Sequence, residues 1–238
     1  MRKIQAIIIF FLLSTIVTAQ SRWQLGGKLG VNYTTISGEG MSSNIQQDFS
    51  WVVTPIFGAV GAYSFSDLFA IHAELNLAKW GADSEGHNNN GRFHFNERYT
   101  SIQIPVAGRF TFGKNWQFFV YGGFYWSVSL YGKYTLHDNY SIRSGKIKFQ
   151  KRPDNYSGDD LFMDPKYFRR MDVGANLGGG VQKKIGPGMM ALDLRFGLGF
   201  LDRNKWDDLD FSKSDTYKPY ANRTISLNLA YTFAIGKK

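Results

Sequence analysis

Trp23-Gln24-Leu25-Gly26-Gly27-Lys28-Leu29-Gly30-Val31-Asn32-Tyr33-Thr34 sorts into two faces when it is read as an extended chain. Alternate side chains of a strand point to opposite sides. One side carries Trp23, Leu25, Gly27, Leu29, Val31 and Tyr33, and the other Gln24, Gly26, Lys28, Gly30, Asn32 and Thr34. The same division returns downstream. Phe69, Ile71, Ala73, Leu75 and Leu77 alternate with Ala70, His72, Glu74, Asn76 and Ala78, and Ile225, Leu227, Leu229, Tyr231 and Phe233 with Ser226, Asn228, Ala230 and Thr232.

Five further stretches read the same way: Val53 to Phe65, Tyr99 to Phe112, Trp116 to Tyr131, Met171 to Lys183 and Met190 to Phe200. That makes eight strands, the even number expected of a closed single-chain barrel. Their connections alternate in length. Ser66-Asp67, Gly113-Lys114-Asn115 and Ile185-Gly186-Pro187-Gly188 are tight turns made of residues suited to them. Ile36 to Ser50, Gly81 to Arg98, Lys133 to Arg170 and Asp202 to Asn222 read as long loops. Within the third of these, Ser141 to Gln150 alternates like a strand and extends the wall above the membrane.

A water-soluble sandwich buries its apolar faces between two sheets. Here the opposite, polar face carries charges of both signs: Lys28, Glu74, Arg109, Asp172, Asp193 and Arg195. Eight strands enclose an interior just wide enough for side chains to fill, so these six residues are expected to form a lumenal charge network. The fold class is therefore all-β: an eight-stranded antiparallel up-and-down transmembrane β-barrel with short periplasmic turns and long extracellular loops. Closure also satisfies every backbone group in hydrocarbon, which an open sheet does not. Trp23, Trp80, Trp116, Trp126, Tyr33, Tyr63, Tyr99 and Tyr231 fall near strand ends and are expected in the interfacial aromatic girdles. Pro105 removes a ladder donor, so a local distortion is expected there.

The N-terminus fits export. Arg2 and Lys3 precede an apolar run from Ala6 to Leu13, and Val17-Thr18-Ala19 offers a cleavage site, giving residues 1–19 as signal peptide and 20–238 as the barrel. The run is shorter than the ~20 residues of a spanning helix. With no cysteine, the chain has no lipoprotein anchor cysteine, disulfide framework or thiol metal site. The net charge of +9 is spread along the chain, which argues against nucleic acid as partner.

Taken in order, several segments resemble the porin-family, PorT-like outer-membrane β-barrel domain common in the Bacteroidota. They are Trp23 to Asn32, Tyr99-Thr100-Ser101-Ile102-Gln103-Ile104-Pro105-Val106, Val120-Tyr121-Gly122-Gly123, Asp172-Val173-Gly174 with Gly178-Gly179-Gly180, and Ser226 to Phe233. The resemblance implies fold and location and no activity; the role of one member in type IX secretion is not carried over. Tyr231 and Phe233 also resemble the closing-strand signal read by the barrel-assembly machinery during insertion.

Ser84, Asp83 and His87 lie close in sequence as a hydrolase triad would require, with His94 in the same predicted loop and His137 in the next. Asp207, Asp208 and Asp210, with Asp159 and Asp160, are acidic clusters that read as surface charge. Asp154 to Asp160 lacks the regular oxygen ligands and closing Glu of a calcium loop. No catalytic residue, cofactor or metal is therefore expected. Arg143, Lys146, Lys148, Arg152, Arg169 and Arg170 lie among aromatics in the longest loop. They are candidates for holding lipopolysaccharide phosphates or an unknown protein partner. The favoured expectation is a structural or interaction scaffold displaying its loops among outer-membrane lipids. Three alternatives stand beside it: a narrow porin-like channel, an accessory factor in secretion or assembly, and a lipid-modifying enzyme. Inward Phe119, Tyr121 and Tyr125 narrow any channel.

Overall fold

The computed structural model describes residues 23–39, 46–88, 91–150, 168–203 and 218–235. The expected signal peptide, Arg152 and the acidic stretches 154–160 and 207–210 lie outside the described residues. Among the described residues ten strands appear in chain order: β1 (Trp23–Glu39), β2 (Gln46–Ser50), β3 (Val52–Ser64), β4 (Phe69–Asn88), β5 (Gly91–Gly113), β6 (Trp116–Asp138), β7 (Ile142–Ile147), β8 (Met171–Ile185), β9 (Gly188–Gly199) and β10 (Lys218–Ile235). Eight of them are staves, each antiparallel to its neighbours, in the order β1-β3-β4-β5-β6-β8-β9-β10. The ring closes where β10 returns to β1, from Trp23 opposite Ile235 up to Ser37 opposite Ala221. β2 and β7 are additions, paired to the upper parts of β4 and β6.

The short turns lie where the sequence places them. Phe65 and Ser66 donate their amides to the Phe69 carbonyl at 3.0 and 3.2 Å, closing the β3–β4 turn. Between β8 and β9 the two-residue loop Gly186-Pro187 joins the paired Ile185 and Gly188. Gly186 has φ +60°, the left-handed conformation that a type II′ hairpin asks of its first central residue.

Outward residues along the staves are large, apolar and exposed: Leu29 and Val31, Phe57, Leu75, Val106, Phe118 and Phe124, Leu177, Leu194 and Leu229. Their inward neighbours are buried and polar, among them Lys28, Asn32, Glu74, Asn76, Asn176, Asp193, Arg195 and Asn228. This is the arrangement of a chain whose outer solvent is lipid.

Near the top of the barrel the pattern inverts. On β4 the outward series Ile71, Ala73, Leu75 and Leu77 gives way to Lys79, Asp83 and Glu85, while the inward side becomes Trp80, Ala82 and Ser84. On β5 the inward residues above Ser101 are Tyr99, Glu97, Phe95 and Phe93, and the outward ones Arg98, Asn96 and His94. Phe93, Phe95, Tyr99, Ile147 and Phe168 form a buried aromatic cluster, with Trp80, Tyr134, Leu136 and Phe149 packed against it. Here the outer solvent is water.

The expected loop Gly81 to Arg98 is therefore corrected. Its two halves are the continued β4 and β5, paired up to Asn88 opposite Gly91. Ile36 to Glu39 likewise extends β1, Gln46–Ser50 forms β2, and Lys133 to Asp138 extends β6. For β4, β5 and β6 the cause is the aromatic cluster, which gives these segments a buried face beyond the bilayer. Together β2-β4-β5-β6-β7 make a five-stranded open sheet standing on one side of the barrel.

Two smaller expectations also change. Trp80 and Tyr99 do not join the girdle: they stack on each other inside the wall, centroids 4.1 Å apart, and the Trp80 indole donates to Ser101 at 2.7 Å. Pro105 keeps the β5 register on both sides. The pairing with β4 is interrupted opposite Glu74 and Leu75, where the proline has no donor, but the bulge lies elsewhere. It falls on β6, where Thr100 and Ser101 face Tyr131 and Ser129 and Leu130 is passed over. Leu130 and Tyr131 both face out, and the inward parity of β6 switches from Tyr125, Ser127 and Ser129 to Gly132, Tyr134 and Leu136.

Because Leu75 faces hydrocarbon, Leu75→Arg is expected to cost about 2–4 kcal/mol in folding into lipid vesicles. Leu75→Phe should be nearly neutral. Reversible urea unfolding from the vesicles, followed by tryptophan emission, measures both.

Candidate functional site

The lumen is built from the inward residues of facing staves. Glu74 on β4 is its centre. Lys28 on β1 donates to Glu74 Oε2 at 2.7 Å. From β9, Arg195 Nη1 and Nη2 donate to Oε2 and Oε1 at 2.9 and 2.6 Å, a two-pronged pair across the barrel. Asn76 adds a bond to Oε2 at 2.8 Å, and His72 Nε2 lies 3.4 Å from Oε1. A buried carboxylate with this many donors has its desolvation offset in a way that one partner alone could not supply.

Arg195 continues the chain of contacts. Its Nε donates to the Tyr121 hydroxyl at 2.9 Å, and that hydroxyl donates to Asp193 Oδ1 at 2.5 Å. Asn228 reaches the same oxygen at 3.2 Å. Four of the six lumenal charges expected from sequence, Lys28, Glu74, Asp193 and Arg195, therefore lie in one network. The other two take neutral partners. Arg109 donates to Gln182 and stacks its guanidinium over the Phe119 ring at 3.8 Å. Asp172 accepts from the Tyr125 hydroxyl at 2.8 Å and from Asn222 at 3.1 Å. The positive Lys28, Arg109 and Arg195 balance the negative Glu74, Asp172 and Asp193.

Glycine makes room for the two tyrosines. Tyr121 and Tyr125 on β6 lie opposite Gly178 and Gly174 on β8. A Cβ at Gly178 would come within 2.5 Å of the Tyr121 ring, and one at Gly174 within 2.4 Å of the Tyr125 ring. A cavity of about 20 Å³ lies among the described residues Asn32, Trp80, Tyr125, Asp172, Arg195 and Asn222. That is room for roughly one water.

A second buried cluster stands above the rim, and the sequence reading missed it. Glu97 pairs with Arg203 through Oε1 and accepts from the Tyr99 hydroxyl through Oε2 at 2.8 Å. Burial raises the Glu97 carboxyl above its ordinary value against the opposing pull of Arg203. The Arg203 guanidinium lies over the Phe168 ring at 4.4 Å. Backbone bonds from Arg169 to the Arg203 carbonyl and from Arg203 to the Tyr220 carbonyl, at 2.7 and 2.8 Å, tie the two long returning segments to the barrel mouth. The available signal was the spacing Phe93-x-Phe95-x-Glu97-x-Tyr99, a strand period running through a segment rich in polar residues.

The basic candidates of the longest loop do not converge. Arg143 binds Asp138 at 3.0 Å. First the Tyr140 amide, then the Ser141 amide and hydroxyl and Arg143, hold the Asp138 carboxyl below its ordinary value. Arg169 donates to the Asp202 carbonyl at 3.0 Å, and Arg170 lies over the Phe149 ring at 5.0 Å. Lys146 and Lys148 stand exposed on the outer wall. The hydrolase candidates diverge as well. Ser84 is buried on the inner face and donates to the Phe95 carbonyl at 3.2 Å, while Asp83 pairs with Arg98 at 2.8 Å and His87 is exposed. His94 pairs with Glu85 at 3.2 Å on the outer face.

Residues 18–203 match the family described as outer membrane protein beta-barrel domain. The chain belongs to that family. Its location is the outer membrane. A search of curated proteins finds no match. Among solved structures, the chain is similar to Ail, the attachment invasion locus protein of Yersinia pestis, in complex with the heparin analogue sucrose octasulfate. Identity is 12%, covering 89% of this chain and 99% of that one, with a TM-score of 0.40. OprG from Pseudomonas aeruginosa shows 8% identity over 90% of this chain and 96% of its own, TM-score 0.46. Neisserial surface protein A shows 8% identity over 92% and 100%, TM-score 0.40.

Glu74→Gln leaves Lys28 and Arg195 facing a neutral amide in the lumen. The expected loss is about 3–5 kcal/mol of folding stability, the usual result of removing one member of a buried ion pair. Heat-modifiable mobility and urea unfolding in vesicles read it; an unchanged midpoint would show that the network contributes nothing.

Proposed function

We propose that this protein is a non-conducting outer-membrane scaffold that presents its extracellular sheet to a partner outside the cell. The observation that carries the reading is the filled, charge-balanced lumen. Glu74, Arg195, Lys28, Tyr121 and Asp193 bridge the staves, and the cavity beside Arg195 and Tyr125 holds about one water, where a porin leaves an aqueous path. The sheet β2-β4-β5-β6-β7 is rigidified by its own aromatic cluster and ends in a hairpin whose Tyr140 is 84% and Ile142 69% exposed. An apolar tip on a stiff support suits contact with a protein. The divergence of Ser84, Asp83 and His87 supports a non-enzymatic role. Lipid and lipopolysaccharide surround the staves in this reading, the barrel-assembly machinery inserts them, and the kinship is with the PorT-like branch, on the ordered motifs from Trp23 to Phe233.

Planar-bilayer recording tests the proposal. The purified full chain is expected to give no steady conductance, and Tyr121→Ala with Tyr125→Ala to give intermittent leak. Steady, size-selective conductance from the unaltered chain would replace the scaffold with a narrow channel.

A further inference from the structure

The outer face of the extracellular sheet carries a row of cations that no carboxylate among the described residues neutralises, apart from one pair. Arg98 on β5, Lys133 on β6 and Lys146 on β7 are consecutive cross-strand partners. Their neighbours along each strand, Glu97 and Tyr99, Gly132 and Tyr134, and Ile147, belong to the inner face. Lys148 alternates with Ile147 and Phe149, both packed on the aromatic cluster, so it joins the same outer face, and Lys79 on β4 lies exposed directly opposite Thr100. Arg98 is answered by Asp83 at 2.8 Å. Lys79, Lys133, Lys146 and Lys148 have no carboxylate within ion-pair distance among the described residues.

Like charges directly opposite one another in a ladder repel. Lys133 and Lys146 nevertheless face each other. The other acids of this outer face among the described residues, Asp48 and Glu85, are cross-strand partners of each other in the Glu85–His94 row. That row is four residues up β5 from Arg98, about 13 Å away. The cations instead sit immediately above the lipid-facing band. Tyr131, exposed and outward, precedes Lys133 by two residues, or about 7 Å, and the outward residues below it are Leu130, Val128 and Trp126. Aromatics of this kind mark the headgroup level. Lysines just beyond them, projecting sideways from a wall, meet phosphates that lie in the membrane plane.

We infer that Lys79, Lys133, Lys146 and Lys148 form a docking surface for the phosphates of an anionic outer-leaflet glycolipid such as lipid A. The surface pins the extracellular sheet to the bilayer and fixes its tilt. Lipid phosphate supplies the countercharge that the described residues do not place beside these lysines. The inference rests on the outward placement of the sheet, and its test is independent of conductance.

The test uses the full chain in nanodiscs of zwitterionic phospholipid doped with either diphosphoryl lipid A or its dephosphorylated form. Native mass spectrometry counts the glycolipid retained per barrel. The unaltered protein is expected to retain the diphosphoryl form in preference to the other. Lys133→Gln with Lys146→Gln should lower that retention roughly 10- to 30-fold, given the contribution of each basic residue beside anionic headgroups. Lys114→Gln with Lys184→Gln, at the periplasmic turns, should leave it unchanged. Heat-modifiable mobility checks that both double variants are folded. Equal retention of the two glycolipids, retention indifferent to Lys133 and Lys146, or an equal loss in the periplasmic pair overturns the inference. So does the finding that a soluble polysulfated disaccharide binds through Lys133 and Lys146 while the diphosphoryl lipid is not retained.

Discussion

Hydrocarbon offers no hydrogen bonds, so a chain that crosses it in strands must satisfy every peptide group from within. The pairing of β10 with β1 does this, running from Trp23 opposite Ile235 to Ser37 opposite Ala221 and removing the edge an open sheet would expose. The consequences follow inward. Eight staves enclose a space that side chains must fill. The alternation that turns Leu29, Leu75 and Leu194 toward lipid turns Lys28, Glu74 and Arg195 toward the axis. Charges forced into a narrow interior are tolerable only when paired, and Glu74 pairs with two cations at once. The tyrosines that complete the packing fit because Gly174 and Gly178 stand opposite them.

The same strands change solvent part-way along. Below the rim each apolar face points out; above it the apolar face points in, and β4, β5 and β6 pass through the transition without ending. The β6 bulge at Leu130 is where the geometry accommodates this, since it moves Tyr134 and Leu136 to the inner side beside Phe95 and Tyr99. A barrel and a small extracellular core are thus one continuous sheet. The upper part is held by ordinary aromatic burial, with Glu97 and Arg203 pinning the segments that return to the mouth.

The staves were legible in the sequence because each has one clean apolar face, and the tight turns because Gly113, Gly186 and Ser66 carry recognisable turn chemistry. Lumenal charges were legible for the same reason: parity alone assigns Lys28, Glu74 and Arg195 to the interior. Parity did not distinguish Arg109 and Asp172, which face inward but meet Gln182 and Tyr125, because lumenal partners depend on register between staves far apart in the chain. The extracellular sheet was misread as loop. Its outward residues are polar, its inward residues include Glu97 and Ser84, and its hydropathy runs opposite to that of the staves. A reader searching for apolar-out alternation passes over Phe93 and Phe95. Position along the strand suits Trp80 and Tyr99 to the girdle, but their parity puts them inside.

The inversion of faces along β4 is the claim on which lipid exposure, lumen packing and the extracellular sheet all depend. The absence of cysteine lets single spin labels be placed without background. Labels at successive positions from Ile71 to Glu85, in the folded protein in vesicles, report collisions with oxygen, which concentrates in lipid, and with a water-soluble nickel chelate. Oxygen accessibility should peak at Ile71, Ala73, Leu75 and Leu77 and fall at His72, Glu74 and Asn76. The outward positions Lys79, Asp83 and Glu85 should then favour the nickel chelate. Uniform access to nickel along the outward series, or oxygen access that continues unchanged past Lys79, would contradict the account.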